Sequence, residues 1–189
     1  MKTFSKIISK FKAINTNFFV GGTALVVSIC ALFISIQEVR IMRIQQRASM
    51  YPYLTVSKVY NGEGFGITLK NSGNGLAKIN SYRVYANGTY FNNWEELLKT
   101  LAPDATGIDY SIIRTAGNIR NEMITPNEKV NLIFLQWTLE TRELEKQFSD
   151  LEVKLCYSSL LDEHWIIEKY IPIELDSPCN ADSTTEFGL

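Results

Sequence analysis

FFVGGTALVVSICALFISI, residues 18–36, runs for nineteen residues without a charged side chain. As a helix rising ~1.5 Å per residue it is about 28 Å long, which matches the ~30 Å hydrocarbon core of a bilayer. It is apolar on every side, so it reads as a transmembrane helix rather than a core helix with one solvated stripe. A cleaved signal peptide fits less well, because its apolar run is usually ~7–15 residues and ends at small residues. Here Gln37, Glu38 and Arg40 follow. Lipoprotein cleavage before Cys30 would need a small residue where bulky Ile29 stands.

Basic segments flank the span on both sides. In residues 1–17, Phe4, Ile7, Ile8, Phe11 and Ile14 share one helical arc, and Lys2, Lys6, Lys10 and Lys12 fall outside it. That is the pattern of an interfacial helix with its lysines toward lipid headgroups. Over residues 37–50, Arg40, Arg43 and Arg47 recur at i, i+3 and i+7 and form a cationic stripe if the helix continues. Their long stems let them reach phosphates, so membrane lipids are the first expected partner. Three lysines before the span nearly balance three arginines after it, and Lys2 with the free amino terminus tips the orientation to N-inside.

Residues 1–50 hold seven Lys or Arg against one Glu, whereas residues 51–189 hold twelve against nineteen acids, so the halves carry +6 and −7. A domain of that sign repels phosphate backbones, which argues against nucleic acid as a partner. Its 139 residues are enough for one domain with a real core. Cys156 and Cys179 would pair only in an oxidising compartment; the sequence favours two unpaired thiols, with Cys156 buried as a small apolar residue.

Pro52 stops any continuing helix, and short alternating segments follow. Strands are predicted at 53–60, 65–70, 76–86, 89–91, 108–113, 129–137, 151–157 and 164–173. Asn61-Gly62-Glu63-Gly64 reads as one hairpin turn, residues 158–163 as another, and Asn87-Gly88 as a two-residue turn with positive φ at both positions. Asn93 caps a short helix, WEELLKTL, that ends at Pro103, and a second helix is predicted at 140–148. The expected fold is therefore mainly β, a β-sandwich-like or small-barrel domain with one or two short helical insertions behind one N-terminal transmembrane helix. The implied organisation is 1–17 interfacial helix, 18–36 span, 37–50 juxtamembrane helix, 51–175 β domain and 176–189 polar tail.

Candidates for chemistry are few. The single histidine, His164, reads as an exposed residue beside a turn, since no nucleophile motif accompanies it and metal sites gather several ligands. Asn71-Ser72-Gly73-Asn74-Gly75 lacks the Lys-Ser/Thr and the following helix of a phosphate loop. With Asn87 and Gly88 it is read as structural turn, Gly73 and Gly75 supplying positive φ. No cofactor, metal or catalytic set is expected.

The stretches FGITLKNSGNGLAKINSYRVY and LEVKLCYSSLLDEHW resemble a pattern in poorly characterised bacterial single-pass membrane proteins. The matching residues are Pro52, Leu54, Gly66, Ile67, Leu69, Asn71, Gly73, Gly75, Ala77, Ile79, Tyr157, Ser159, Leu160 and Trp165. They are turn and core positions, so the resemblance implies the architecture and a bacterial inner membrane location, and brings no activity. The function expected is a membrane-anchored, non-enzymatic interaction or scaffold protein, bound to a protein partner or to further copies of itself. Exposed sheet edges or the Trp94 helix would be its surfaces. The alternative is a single-pass sensor whose β domain binds a small ligand.

Lysine at Val26 and Ile29 should abolish membrane integration, each central charge costing about 2.5–3.5 kcal/mol on the insertion scale. Carbonate extraction of wild type and double variant measures the difference.

Overall fold

The computed structural model describes residues 16–104, 108, 110–111, 119–182 and 184–188. It divides into two compact units, Met1–Gln46 and Arg47–Leu189. The segment carrying Lys2, Lys6, Lys10 and Lys12 lies outside the described residues, as does half of the strand expected at 108–113.

Helix α1, Thr16–Ser49, is one element of 34 residues where the sequence marked a span and a separate juxtamembrane helix. It is long and apolar enough to cross a membrane. Two of its hydroxyls are satisfied internally: Thr23 donates to the Phe19 and Val20 carbonyls at 3.1 and 2.9 Å, and Ser28 to Ala24 at 2.8 Å. That back-bonding lets polar side chains sit in an apolar solvent without an orphan donor.

Among its described residues the second unit holds ten strands: β1 Leu54–Tyr60, β2 Gly64–Asn71, β3 Ala77–Ala86, β4 Thr89–Phe91, β5 Tyr110–Ser111, β6 Met123–Ile124, β7 Lys129–Gln136, β8 Glu152–Ser158, β9 His164–Glu168 and β10 Ile171–Leu175. Helix α2, Trp94–Leu101, follows β4, and α3, Leu139–Gln147, follows β7. One sheet has the order β1-β2-β7-β5; the other runs β10-β9-β8-β3-β4, with β6 also on β3. Every pairing is antiparallel. Two sheets around one shared core make this a sandwich rather than a barrel.

Alternation explains which faces are buried. In β1, Leu54 and Val56 point inward while Ser57 is exposed, and the central β2 is buried at all but one position. In β3 the inward set switches from Ala77 and Ile79 to Tyr82, Val84 and Ala86. A bulge between Ile79 and Ser81 causes the switch, because one extra residue moves every later side chain to the other face. Lys58 clasps the two sheets: burial lowers its pKa, its ammonium donates to the Ser149 carbonyl at 2.8 Å, and it lies 5.3 Å from the Tyr170 ring centre.

The element nearest to expectation is α2. Asn93 accepts from the Glu96 amide at 2.8 Å, and the Glu96 carboxylate reaches back to the Asn92 amide at 3.0 Å. The single strand expected at 164–173 is instead a hairpin, β9 and β10, closed by Lys169 and Tyr170 at φ 49 and 66. Neither residue is a usual left-handed one. Tyr170 is held there by burial and by donating its hydroxyl to the Leu151 carbonyl at 2.6 Å, an environment that pushes its pKa up to about 12. Asn87 and Gly88, at φ 50 and 83, form the turn between β3 and β4.

Gly73 and Gly75 need a different explanation from positive φ, which among the described glycines belongs to Gly88 and Gly188. A Cβ on Gly73 would overlap the backbone of Tyr51 and Tyr53, and one on Gly75 the Met50 carbonyl. The loop lies flat against the entering chain, held by Ser72 N–H to Tyr53 O at 2.7 Å and by Asn74 and Gly75 N–H to Tyr51 O at 3.0 and 3.1 Å. At its centre Asn71 is fully buried. Its amide oxygen accepts from the Tyr53 and Gly73 amides at 3.2 and 3.0 Å; its NH2 donates to the Gly75 and Ile124 carbonyls at 2.7 and 3.1 Å.

Asn71→Asp should therefore destabilise the domain by about 3 kcal/mol or more, since two donors become acceptors facing carbonyls in a buried site. Gly75→Ala should also destabilise, through backbone overlap. Denaturant melts of both variants against wild type read the loss; an unchanged midpoint for Asn71→Asp would remove Asn71 as the keystone.

Candidate functional site

Three places in the domain gather polar groups. The first is where the chain enters. Arg47, on the last turn of α1, pairs through its guanidinium with the Glu163 carboxylate, which is largely buried in the β8–β9 turn. Arg47 is thus committed to the domain and not to the lipid stripe expected of it, whereas Arg40 and Arg43 are exposed. Ser159 closes the same turn by accepting from the Leu161 and Glu163 amides at 3.1 and 3.3 Å.

His164 starts β9 next to this turn. It is not the exposed residue its neighbours suggested: its side chain is only 12% exposed, because Ser158 of β8 and Leu175 of β10 flank it in the sheet. Its nearest charged neighbour is Asp162, at 3.8 Å. Among the described residues, no group of three or more His, Cys, Asp or Glu gathers as a metal site.

The second place is an open groove of about 350 Å3 between the end of α2 and the face of α3. Leu101, Ala102 and Leu144 form its floor, and Asp104, Glu140, Glu143 and Gln147 its rim. Hydrogen bonding by its own backbone amide, then by Thr138, holds the Glu140 carboxyl below the usual range. The apolar face of the Trp94 helix is packed inward, with Trp94, Leu97, Leu98 and Leu101 buried and Leu101 alone of them bordering the groove. The β10 edge is guarded as well. In a two-residue hairpin the residues flanking the loop bond to each other, so Ile171 and Ile173 face β9 with their backbone and Pro172 faces outward without a donor.

The third place was missed by the sequence reading, which made residues 176–189 a polar tail. Near its end Glu186 and Phe187 are fully buried. Along the outer edge of β3, β6 covers Ala77 and Lys78, and β4 covers Val84 to Ala86. The turn after Ile119 covers Ile79 through the backbone of Asn121 and Glu122. The bulge leaves Ser81 and Tyr82 open between them, and the tail fills the opening. The Glu186 carboxylate accepts from the Ser81 hydroxyl at 2.6 Å and the Tyr82 amide at 3.0 Å. Phe187 N–H donates to Tyr82 O at 2.8 Å and Gly188 N–H to Asn92 O at 2.6 Å. The Phe187 ring lies edge-on to Tyr82 and Trp94, with centroids 5.1 and 4.9 Å away. A lone aromatic closing a polar run, with Cys179 upstream, was the available signal.

Cys156 of β8 and Cys179 form a disulfide with Cα atoms 6.4 Å apart, which corrects the expectation of two free thiols. The pairing was illegible because it depends on where the tail returns, and the tail returns to the strand beside β9.

A family model described as a domain of unknown function (DUF8453) matches residues 16–174. No curated protein and no solved structure matches the chain.

Reduction should lower domain stability by about 3 kcal/mol, the loop-closure value for a separation of 23 residues. Alkylation should label Cys156 and Cys179 only after reductant. Mass spectrometry before and after treatment checks this, and labelling without reductant would refute the bridge.

Proposed function

The chain belongs to the DUF8453 family, and because the matched region takes in α1 as well as the β domain, we propose that anchoring is part of the activity and that the protein is a membrane-anchored, non-enzymatic interaction module. In this reading α1 crosses the membrane once, and the acidic sandwich recruits or holds a protein partner at its surface. That shared helix-plus-domain extent is the observation that carries the proposal.

The disulfide supports placing the domain on the oxidising side, with the N-terminus inside, since such bonds persist outside reducing cytosol. A bacterial inner membrane is the setting implied by the resemblance noted in the sequence. Arg40 and Arg43 lie where anionic headgroups would meet the helix, each worth about 1 kcal/mol. The sensor reading draws on one feature: α1 is continuous from Thr16 to Ser49, so the segment that would cross the membrane and the segment that enters the domain are one helix.

Membranes washed in carbonate should retain the full chain, external protease should remove the domain from intact spheroplasts, and mild-detergent purification should bring down a stoichiometric partner. Release by carbonate, or a domain protected until the membrane is broken, would overturn the anchored, outward-facing arrangement.

A further inference from the structure

We propose that the slot formed by Ser81, Tyr82, Asn92 and Trp94 is a binding site for the C-terminal Glu186-Phe187-Gly188 of a second copy of this chain, so that neighbouring anchored copies link tail to slot. The proposal rests on the interaction-module reading and names its partner. In the structure the slot is filled by the chain's own tail.

The slot reads its occupant in the manner of strand addition, where main-chain hydrogen bonds give affinity and side-chain pockets give selectivity. The Tyr82 amide and Ser81 hydroxyl take a carboxylate, the Tyr82 and Asn92 carbonyls take two N–H groups, and the two rings take an aromatic side chain. A second copy offers the same three residues. Exchange therefore keeps every contact, which is the condition that makes segment swapping low in cost.

Two further observations favour exchange over a permanent latch. The described residues from Asp176 to Thr184 form no strand or helix and are mostly exposed. From Cys179, fastened by its disulfide, the chain can extend about 24 Å to Glu186. The slot also lies within the matched family region, whereas its occupant lies beyond residue 174. A short flexible tether holds the tail at an effective concentration on the order of millimolar, so copies must lie side by side in the membrane for a neighbour's tail to compete.

The test co-expresses two differently tagged full-length copies, extracts them in mild detergent and measures how much of one tag accompanies the other. Wild-type tags should co-purify. Phe187→Ala in both copies should lower this, because a tail without its anchor spends more time in neither slot. Phe187→Ala in one copy should preserve it, because the vacated slot then faces an intact tail. A synthetic peptide of residues 182–189 should disperse the wild-type association, and its Phe187→Ala version should not; this arm holds even if the variant protein misfolds. Association indifferent to the substitution in both copies or to the peptide overturns the proposal, as does absence of association between wild-type copies. If wild-type copies stay apart while another protein co-purifies, tail exchange fails and the interaction module stands; if the inserted protein brings down nothing, both fail.

Discussion

The domain is organised by one side-chain amide, that of Asn71. A carboxamide has two acceptor sites and two donors, and here all four are used, inside a buried site where any one left unpaired would cost about 1–3 kcal/mol. Its backbone is engaged as well, with Glu128 O at 3.0 Å and Asn127 N–H at 2.9 Å. The entering chain at Tyr53, the loop at Gly73 and Gly75, and β6 at Ile124 are thereby fixed to one point. The glycines follow from that convergence, since the loop and the entering chain at Met50 to Tyr53 meet too closely to admit a Cβ.

The same accounting of backbone groups explains the far side of the other sheet. The β3 bulge turns Tyr82, Val84 and Ala86 into the core and leaves a short gap in the strand's outer edge. A buried gap in a ladder must be filled, because unpaired peptide groups away from water are costly. The tail supplies a carboxylate and two amides to close it, and the disulfide at Cys179 brings the tail within reach. Folding of the sandwich and placement of the Glu186-Phe187-Gly188 segment are thus one problem. The only occupant the slot is seen to accept is a segment that every copy of the chain carries.

Polar groups elsewhere serve packing in the same way. Glu163 holds Arg47, Ser159 closes its own turn, and Lys58 ties the 3-10 turn after α3 to the β9–β10 hairpin. The groove beside α3 is the exception, an acidic rim on an apolar floor in a domain of net negative charge.

What the sequence determined by itself was everything governed by local rules. Nineteen apolar residues make a helix long enough for a membrane, Asn87-Gly88 makes a two-residue turn, Asn93 with Glu96 starts α2, and period-two alternation of apolar residues makes β1 and β2. Tertiary structure alone decided the rest. Lys169 and Tyr170 adopt positive φ because the half-buried Tyr170 ring is held in place, which their local preferences oppose. His164 is covered because strands lie on both sides of it. Gly73 and Gly75 answer to backbone more than twenty residues away in sequence, and Glu186 and Phe187 to an opening about one hundred residues upstream. Those contacts join segments whose separate patterns are polar or neutral, and a pattern read along the chain contains no term for what it will meet across it.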